Sequence, residues 1–372
     1  MQKIYRFPML SVDASERQLV EKLLETLRAL PEVTAENADF APGGESHRGY
    51  DARVDIRVAG KPLTLLIEAK KSLYPRDVRQ ALWQLREFGR RWSESTMSAG
   101  RVCLLIAESI SPGAKELLQE ERVGYYDSGG SLFLPAQGVY LYVDKPPPKP
   151  LSKALRSLFS GRRAQVLHAL LNRHDAWVGG KMLAEQAQVS PATASQVLTE
   201  LERFDWLELR GQGPSKERHL REPAALLDAW AKQLTTMRPP ELRRFYIPAA
   251  RTNALVDRIA EVLGEHELEY AITHEAAAQR YAPFLSSVSQ VRCRLMPGHA
   301  TEEALGTLDA RVVSDGANLA IIEAKSSGEL LFREKVGGAW LASPVQVYLD
   351  LVRSEGRAKE MADHLRRERI GF

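Results

Sequence analysis

Asp51, Glu68 and Lys70 are the residues whose types and spacing could do chemistry together. They stand in Gly49-Tyr50-Asp51-Ala52-Arg53-Val54-Asp55 and Leu65-Leu66-Ile67-Glu68-Ala69-Lys70. Two β-rich runs, Ala52–Val58 and Leu63–Ala69, surround Ala59-Gly60-Lys61-Pro62, a hairpin signal. A turn centred on Gly60 sets Glu68 opposite Asp51 or Ala52, and Asp55 opposite Thr64, nearer the turn. Glu68 and Lys70 are two apart on a strand, so they point to one face. Two carboxylates and a backbone carbonyl make a hard oxygen site suited to Mg²⁺ or Mn²⁺. A neighbouring lysine can orient or help deprotonate a water and offset phosphate charge. Together they supply what phosphodiester hydrolysis needs. Glu-Ala-Lys recurs by chance on many strands, so its place in a hairpin carries the reading.

The elements that must position this group follow from periodicity. Leu19, Val20, Leu23, Leu24, Leu27 and Leu30 recur at helical spacing, and Pro31 stops the run. Helices are expected over about Arg76–Phe88 and Pro112–Glu121, with a buried strand at Arg101–Ala107 between them. Two short strands frame Asp127-Ser128-Gly129-Gly130. This order argues for a mixed sheet flanked by helices. The arrangement resembles the PD-(D/E)XK nuclease superfamily, the restriction-endonuclease-like fold. The resemblance implies that Asp51 is the motif acid, Glu68 the second metal ligand and Lys70 the catalytic lysine. It also implies a role for Gln80 or Gln84 on the next helix. Tyr50, not proline, precedes Asp51.

Lys145-Pro146-Pro147-Pro148-Lys149-Pro150 favours an extended spacer and marks the clearest boundary. A second lies near Arg238-Pro239-Pro240. Three domains are therefore expected, over 1–145, 146–237 and 238–372. The middle one reads as helices Arg163–Leu171, Lys181–Ala187 and Pro191–Phe204, then β-runs Trp206–Arg210 and Glu217–Arg221. That is a winged helix-turn-helix pattern. Ser190 can cap the third helix and Pro191 suits its first position. Ala194, Val197, Leu198 and Leu201 form its buried stripe, which leaves Ala192, Thr193, Ser195, Gln196 and Thr199 toward solvent, able to enter a major groove. Lys181, Arg210, Lys216, Arg218 and Arg221 suit phosphate contacts. Pro146–Lys232 holds 13 Lys+Arg against 9 Asp+Glu, a net of +4, more than the whole chain's +3. Double-stranded DNA is the expected partner. A homodimer would double the footprint on an inverted repeat. The bland alternative is a winged helix that contacts protein.

The third part is expected to be α+β: a helix at Asn253–Leu263, strands near Tyr270–Ile272, Val288–Leu295, Ala310–Val313 and Leu319–Ala324, and a last helix over about Pro344–Arg369. Arg243–Pro248, Tyr270–Ala278, Pro344–Leu351 and Glu360–Arg367, with Leu226–Ala231 and Val123–Gly130, are similar to AbiEi-type antitoxins and transcriptional regulators. This similarity covers roughly residues 115–372. It implies a repressor of its own promoter and a neighbouring nucleotidyltransferase-like toxin as genetic partner. Asp309-Ala310-Arg311-Val312 and Glu323-Ala324-Lys325 echo the first constellation. If they formed a hairpin turning at Asp315-Gly316, Asp309 would face Glu323 in a second metal site; chance recurrence is the alternative. His274 and His364 lack a histidine four residues away and read as surface or boundary residues.

Composition sets the class. The chain has 372 residues, 44% apolar and 27% charged, which excludes disordered and fibrous classes. Apolar runs such as Val102–Ala107 are too short for a membrane span. The six residues from Met1 to Arg6 lack the apolar stretch of a secretory signal. The two cysteines, Cys103 and Cys293, form no disulfide framework. A cytoplasmic location without membrane attachment is the expectation.

Overall fold

The computed structural model describes residues 14–40, 50–92, 100–248 and 252–372, with only the backbone for 84–92, 150, 214 and 252–253. It is a mixed α/β protein of two compact units, Met1–Ala154 with Glu202–Asp205, and Leu155–Leu201 with Trp206–Phe372. No helix among the described residues is long and apolar enough to cross a membrane.

The first unit is built on one mixed sheet. Its strands run in the order Val33–Ala35, Ala52–Val58, Lys61–Leu73, Arg101–Ile110, Gly124–Asp127, Leu132–Ala136, Val139–Val143. Ala52–Val58 and Lys61–Leu73 pair antiparallel, with Val58 opposite Lys61 and Ala52 opposite Ile67. Ala59 (φ 49°) and Gly60 (φ 79°) form the two-residue turn. Both left-handed residues give the turn a twist that matches the strands, which holds the register. Lys61–Leu73 then runs parallel to Arg101–Ile110 through the helix Pro75–Trp92, a crossover a parallel pair requires. Alternation sorts the side chains. Leu63, Leu65, Ile67 and Ala69 pack under the amphipathic helix Ala14–Arg28. On the other face, Leu105, Ala107 and Phe133 pack with Val78 and Leu82 of the crossover helix and Leu118 of Pro112–Glu120. Glu68 and Lys70 lie on this second face, beside Leu105 and Ala107 in the register, with Glu68 half-buried and Lys70 exposed.

In the second unit, helices Gly161–Leu171, Gly180–Gln186 and, up to Leu201, Pro191–Arg203 precede the antiparallel strands Leu207–Arg210 and Glu217–Leu220. Val178–Gly179 adds a third strand to that hairpin. A larger sheet follows, in the order Arg311–Val312, Leu242–Tyr246, Leu319–Glu323, Val291–Leu295, Tyr270–Thr273, Ala339–Leu341, Glu334–Val336. Two sequence expectations change here. Arg311–Val312 and Leu319–Glu323 are not hairpin partners, because Leu242–Tyr246 lies between them and pairs with both. Two inter-strand spacings, roughly 10 Å, therefore separate them. Asp309 pairs with Arg311 at 3.0 Å and Glu323 with Arg243 at 3.4 Å, so Asp309 does not face Glu323. The last helix is also broken. Pro344–Leu351 and Ala358–Leu365 are separate, with Gly356 at φ 65° between them, and Arg366–Ile370 ends in a π turn.

His168 of Gly161–Leu171 ties the helical segment to the larger sheet. Its Nε2 lies 2.5 Å from Ser343 Oγ, and its ring stacks on Phe332 at 4.4 Å. Ser343 in turn accepts the Gln346 N–H and caps Pro344–Leu351. Burial pushes the imidazole down to about 3, so the ring is neutral near pH 7. An unfolded histidine protonates near 6.5. Below that pH the unfolded chain takes up the proton first, and stability falls as pH drops toward 3. The expected loss from this residue is about 1.4 kcal/mol per pH unit, or roughly 2 kcal/mol between pH 6.5 and 5. Urea unfolding across that range should show a shallower pH slope in His168→Gln. Identical slopes in the two proteins would contradict this.

Candidate functional site

Two groups of surface residues can do chemistry or recognition, one in each unit. In the first unit the hairpin register delivers Asp51 to Glu68. Asp51 N–H donates to Ile67 O at 2.8 Å, and Ala69 N–H donates to Asp51 Oδ2 at 2.8 Å. These two bonds extend the strand pairing by one residue and pin the Asp51 carboxylate beside the Glu68-Ala69-Lys70 segment. Lys70 Nζ bridges Glu68 Oε1 at 2.7 Å, with the Glu68 side chain largely buried. Burial works to lower the Lys70 ammonium. The hydrogen bond to Glu68 and the charges of Glu68, Asp51 and Glu16 outweigh it and hold the group above the ordinary lysine value. Lys70 is thus a cation at neutral pH, better suited to offsetting phosphate charge than to taking a proton from water.

Glu16 is a residue the sequence reading missed. It lies in the first turn of Ala14–Arg28, and its carboxylate acts on Lys70 across the fold. Spacing along the chain carries no signal for such a pairing. Gln80, on Pro75–Trp92, is exposed. Gln84 is on the same helix, but its side chain is outside the described residues. Among the described residues no three His, Cys, Asp or Glu side chains gather to hold a metal ion. The carboxylates of this group that could serve as donors to Mg²⁺ or Mn²⁺ are those of Asp51 and Glu68. That number fits magnesium, which commonly takes one or two carboxylates and completes its shell with water and substrate phosphate. A cavity of about 600 Å³ in this unit lies toward the hairpin turn, lined by Arg53, Asp55, Thr64 and Gly100, away from Lys70. Asp55 accepts a hydrogen bond from Thr64 and pairs with Arg53 at 2.9 Å, so it serves that end of the hairpin.

In the second unit the helix Pro191–Arg203 presents the other group. Ala194, Val197, Leu198 and Leu201 are fully buried, which fixes the helix's rotation. Ala192, Ser195, Gln196 and Thr199 are then exposed in a row, while Thr193 is half-buried. Ser190 Oγ accepts the Thr193 N–H at 3.2 Å and lies 2.9 Å from its hydroxyl, so both residues serve the cap. Lys181 is exposed on the preceding helix. Arg210 pairs with Glu217 across the hairpin at 2.6 Å and lies over the Trp177 ring at 4.4 Å. Its charge is shared within the hairpin. Arg218 Nη1 donates to Lys216 O at 3.3 Å, and Arg221 stands 3.4 Å from Glu222. Lys216, Arg218 and Arg221 are half-buried.

Of His274 and His364, the latter is at the boundary, its ring 5.0 Å from Phe284. His274 is buried, not superficial, because it stands where the buried strand Tyr270–Thr273 turns into the helix His274–Tyr281. Comparisons of the chain with protein-family models, curated proteins and solved structures return no match.

Proposed function

We propose that this chain is a DNA-binding transcriptional regulator or antitoxin of the AbiEi type. In this reading residues 146–237 are a winged helix-turn-helix and residues 238–372 an AbiEi-like α+β domain. The observation that carries it is the Pro191–Arg203 helix. Its apolar stripe is wholly buried, and a row of small and amide side chains is exposed beside an antiparallel hairpin. Ser195, Gln196 and Thr199 have the size and donors to read base edges in a major groove, and Gln can bond adenine in a bidentate way. Lys181, Lys216, Arg218 and Arg221 supply phosphate contacts that set register. The AbiEi resemblance adds a nucleotidyltransferase-like toxin as genetic partner and a cytoplasmic setting.

A second reading rests on the first unit. Asp51 sits beside the Glu68-Ala69-Lys70 segment and Lys70 pairs with Glu68, which supports a metal-dependent deoxyribonuclease of the PD-(D/E)XK type, with residues 1–145 as the nuclease-like domain. Magnesium or manganese would be held by Asp51 and Glu68 and would supply Lewis-acid activation of the phosphodiester. Lys70 would neutralise charge on the attacked phosphate. The winged helix would then choose where the domain acts.

Selection of duplexes from a random pool by the full-length protein tests the first reading. A site should be enriched that competes at least tenfold better than bulk DNA. A pool with no enriched motif would remove the reading and leave a protein-contact role for the helix.

A further inference from the structure

A cavity of about 270 Å³ lies in the second unit, lined in part by His274, Arg292, Asp350, Arg353 and Ser354. Two guanidinium groups, Arg292 and Arg353, line it, and a third, Arg294, is bonded to the lining carboxylate Asp350. Arg294 Nη2 donates to Asp350 Oδ1 at 2.7 Å. Arg292 donates from Nη1 to Ser354 Oγ at 3.3 Å and from Nε to Gln290. Arg353 donates from Nη2 to the carbonyls of Met237 and Arg238. The one buried carboxylate, Asp350, is already saturated by Thr273, Arg294 and Gln346. Burial and the nearby Arg294 charge pull Arg353 below the ordinary arginine value in spite of Asp350, which is what a cation short of counter-charge does.

His274 completes the cavity wall. Its side chain is 9% exposed, and its Nδ1 has no hydrogen-bond partner. Asp350 Oδ2 is 3.9 Å away, beyond hydrogen-bonding reach. Burial pushes the ring down to about 4, so the pair is no ion pair near neutral pH. The residue also holds φ at 57°, in the left-handed region that a histidine adopts at a cost. A buried polar atom left without a partner is destabilising unless a ligand or water supplies one, and strained backbone clusters at ligand clamps and active sites.

We propose that this cavity binds a compact phosphate group, as free phosphate or the phosphate of a small monoester, held by Arg292 and Arg353 with His274 as a neutral hydrogen-bonding partner. The cavity of about 270 Å³ accommodates a phosphate together with the organic part of a small monoester, and guanidinium forks match phosphate oxygens. Glu355 stands exposed at the rim, where it disfavours a second negative group. The proposal is independent of the DNA-binding reading, since no residue of the Pro191–Arg203 helix lines the cavity.

Isothermal titration of the full chain with inorganic phosphate, at constant ionic strength and against chloride, is the test. Saturable 1:1 binding is expected. Arg292→Gln and Arg353→Gln should each weaken it about tenfold or more, the loss expected for one charge-assisted bond. Arg311→Gln, which removes an exposed charge from the same unit, should leave it unchanged. Circular dichroism must match wild type. If Arg353→Gln does not fold, Arg292→Gln decides alone. Non-saturating heats, or wild-type affinity in Arg292→Gln, would overturn the proposal. So would displacement of phosphate by duplex DNA with an equal loss of DNA affinity in Arg292→Gln, which would assign the cavity to the nucleic-acid backbone.

Discussion

Asp350→Ala should lower the unfolding free energy of the second unit by about 3–5 kcal/mol, the cost of stranding a buried charge. Asp350 is 5% exposed, and Arg294, its partner, 8%. Burial alone would raise the carboxyl. The Arg294 charge and the hydrogen bonds from Thr273 and Arg294 outweigh it and hold the group ionised. Without the carboxylate, Arg294 keeps Glu329, at 3.2 Å and one-third exposed, as its sole ion-pair partner among the described residues. Gln346 and Thr273 lose their acceptor as well. Urea unfolding of Asp350→Ala, Arg294→Met and the double variant would read the coupling. The double variant should cost less than the sum, because removing both partners leaves no orphaned charge. Additive losses, or a cost under about 1 kcal/mol for Asp350→Ala, would contradict this account of the core.

Under the nuclease reading, Lys70→Ala should cut metal-dependent nicking of supercoiled plasmid by about 100-fold or more. Lys70 is the only cation bonded to Glu68 among the described residues, and its charge is held on by three carboxylates. Loss of that charge leaves developing negative charge on phosphate unopposed. Glu68→Ala should be as severe, since it removes a metal donor and frees Lys70. DNA binding by both variants should match wild type, because neither residue belongs to the Pro191–Arg203 helix. Equal nicking by wild type and both variants would rule out this site. Binding without nicking in any of the three would leave the hairpin as a platform serving a regulator.

What could be read from the chain was local. The Ala52–Val58 and Lys61–Leu73 hairpin follows from strict alternation around a two-residue turn, and that register alone places Asp51 opposite Glu68. The Pro191–Arg203 helix follows from its cap, its proline and its stripe. The echo at Asp309 and Glu323 misled because the strand that separates them, Leu242–Tyr246, is remote in sequence and lies beside Pro239-Pro240, which reads as a linker. Periodicity carries no information about which strand inserts between two others. The break in the last helix did have a local signal, Gly356, which was outweighed by apolar periodicity on both sides. His274, Arg294 and Asp350 meet through tertiary packing of residues up to 76 positions apart, and each alone reads as an ordinary polar residue.

In the proposed regulator, Gln196 and its neighbours read base edges. The most direct measurement compares the affinity of wild type, Gln196→Ala and Arg218→Ala for the enriched duplex and for a scrambled one, by fluorescence anisotropy across a salt series. Gln196→Ala should lose about 1–3 kcal/mol on the enriched site and nothing on the scrambled one. Arg218→Ala should weaken both duplexes alike and reduce the salt slope by about one. Wild-type affinity and discrimination in both variants would contradict the claim.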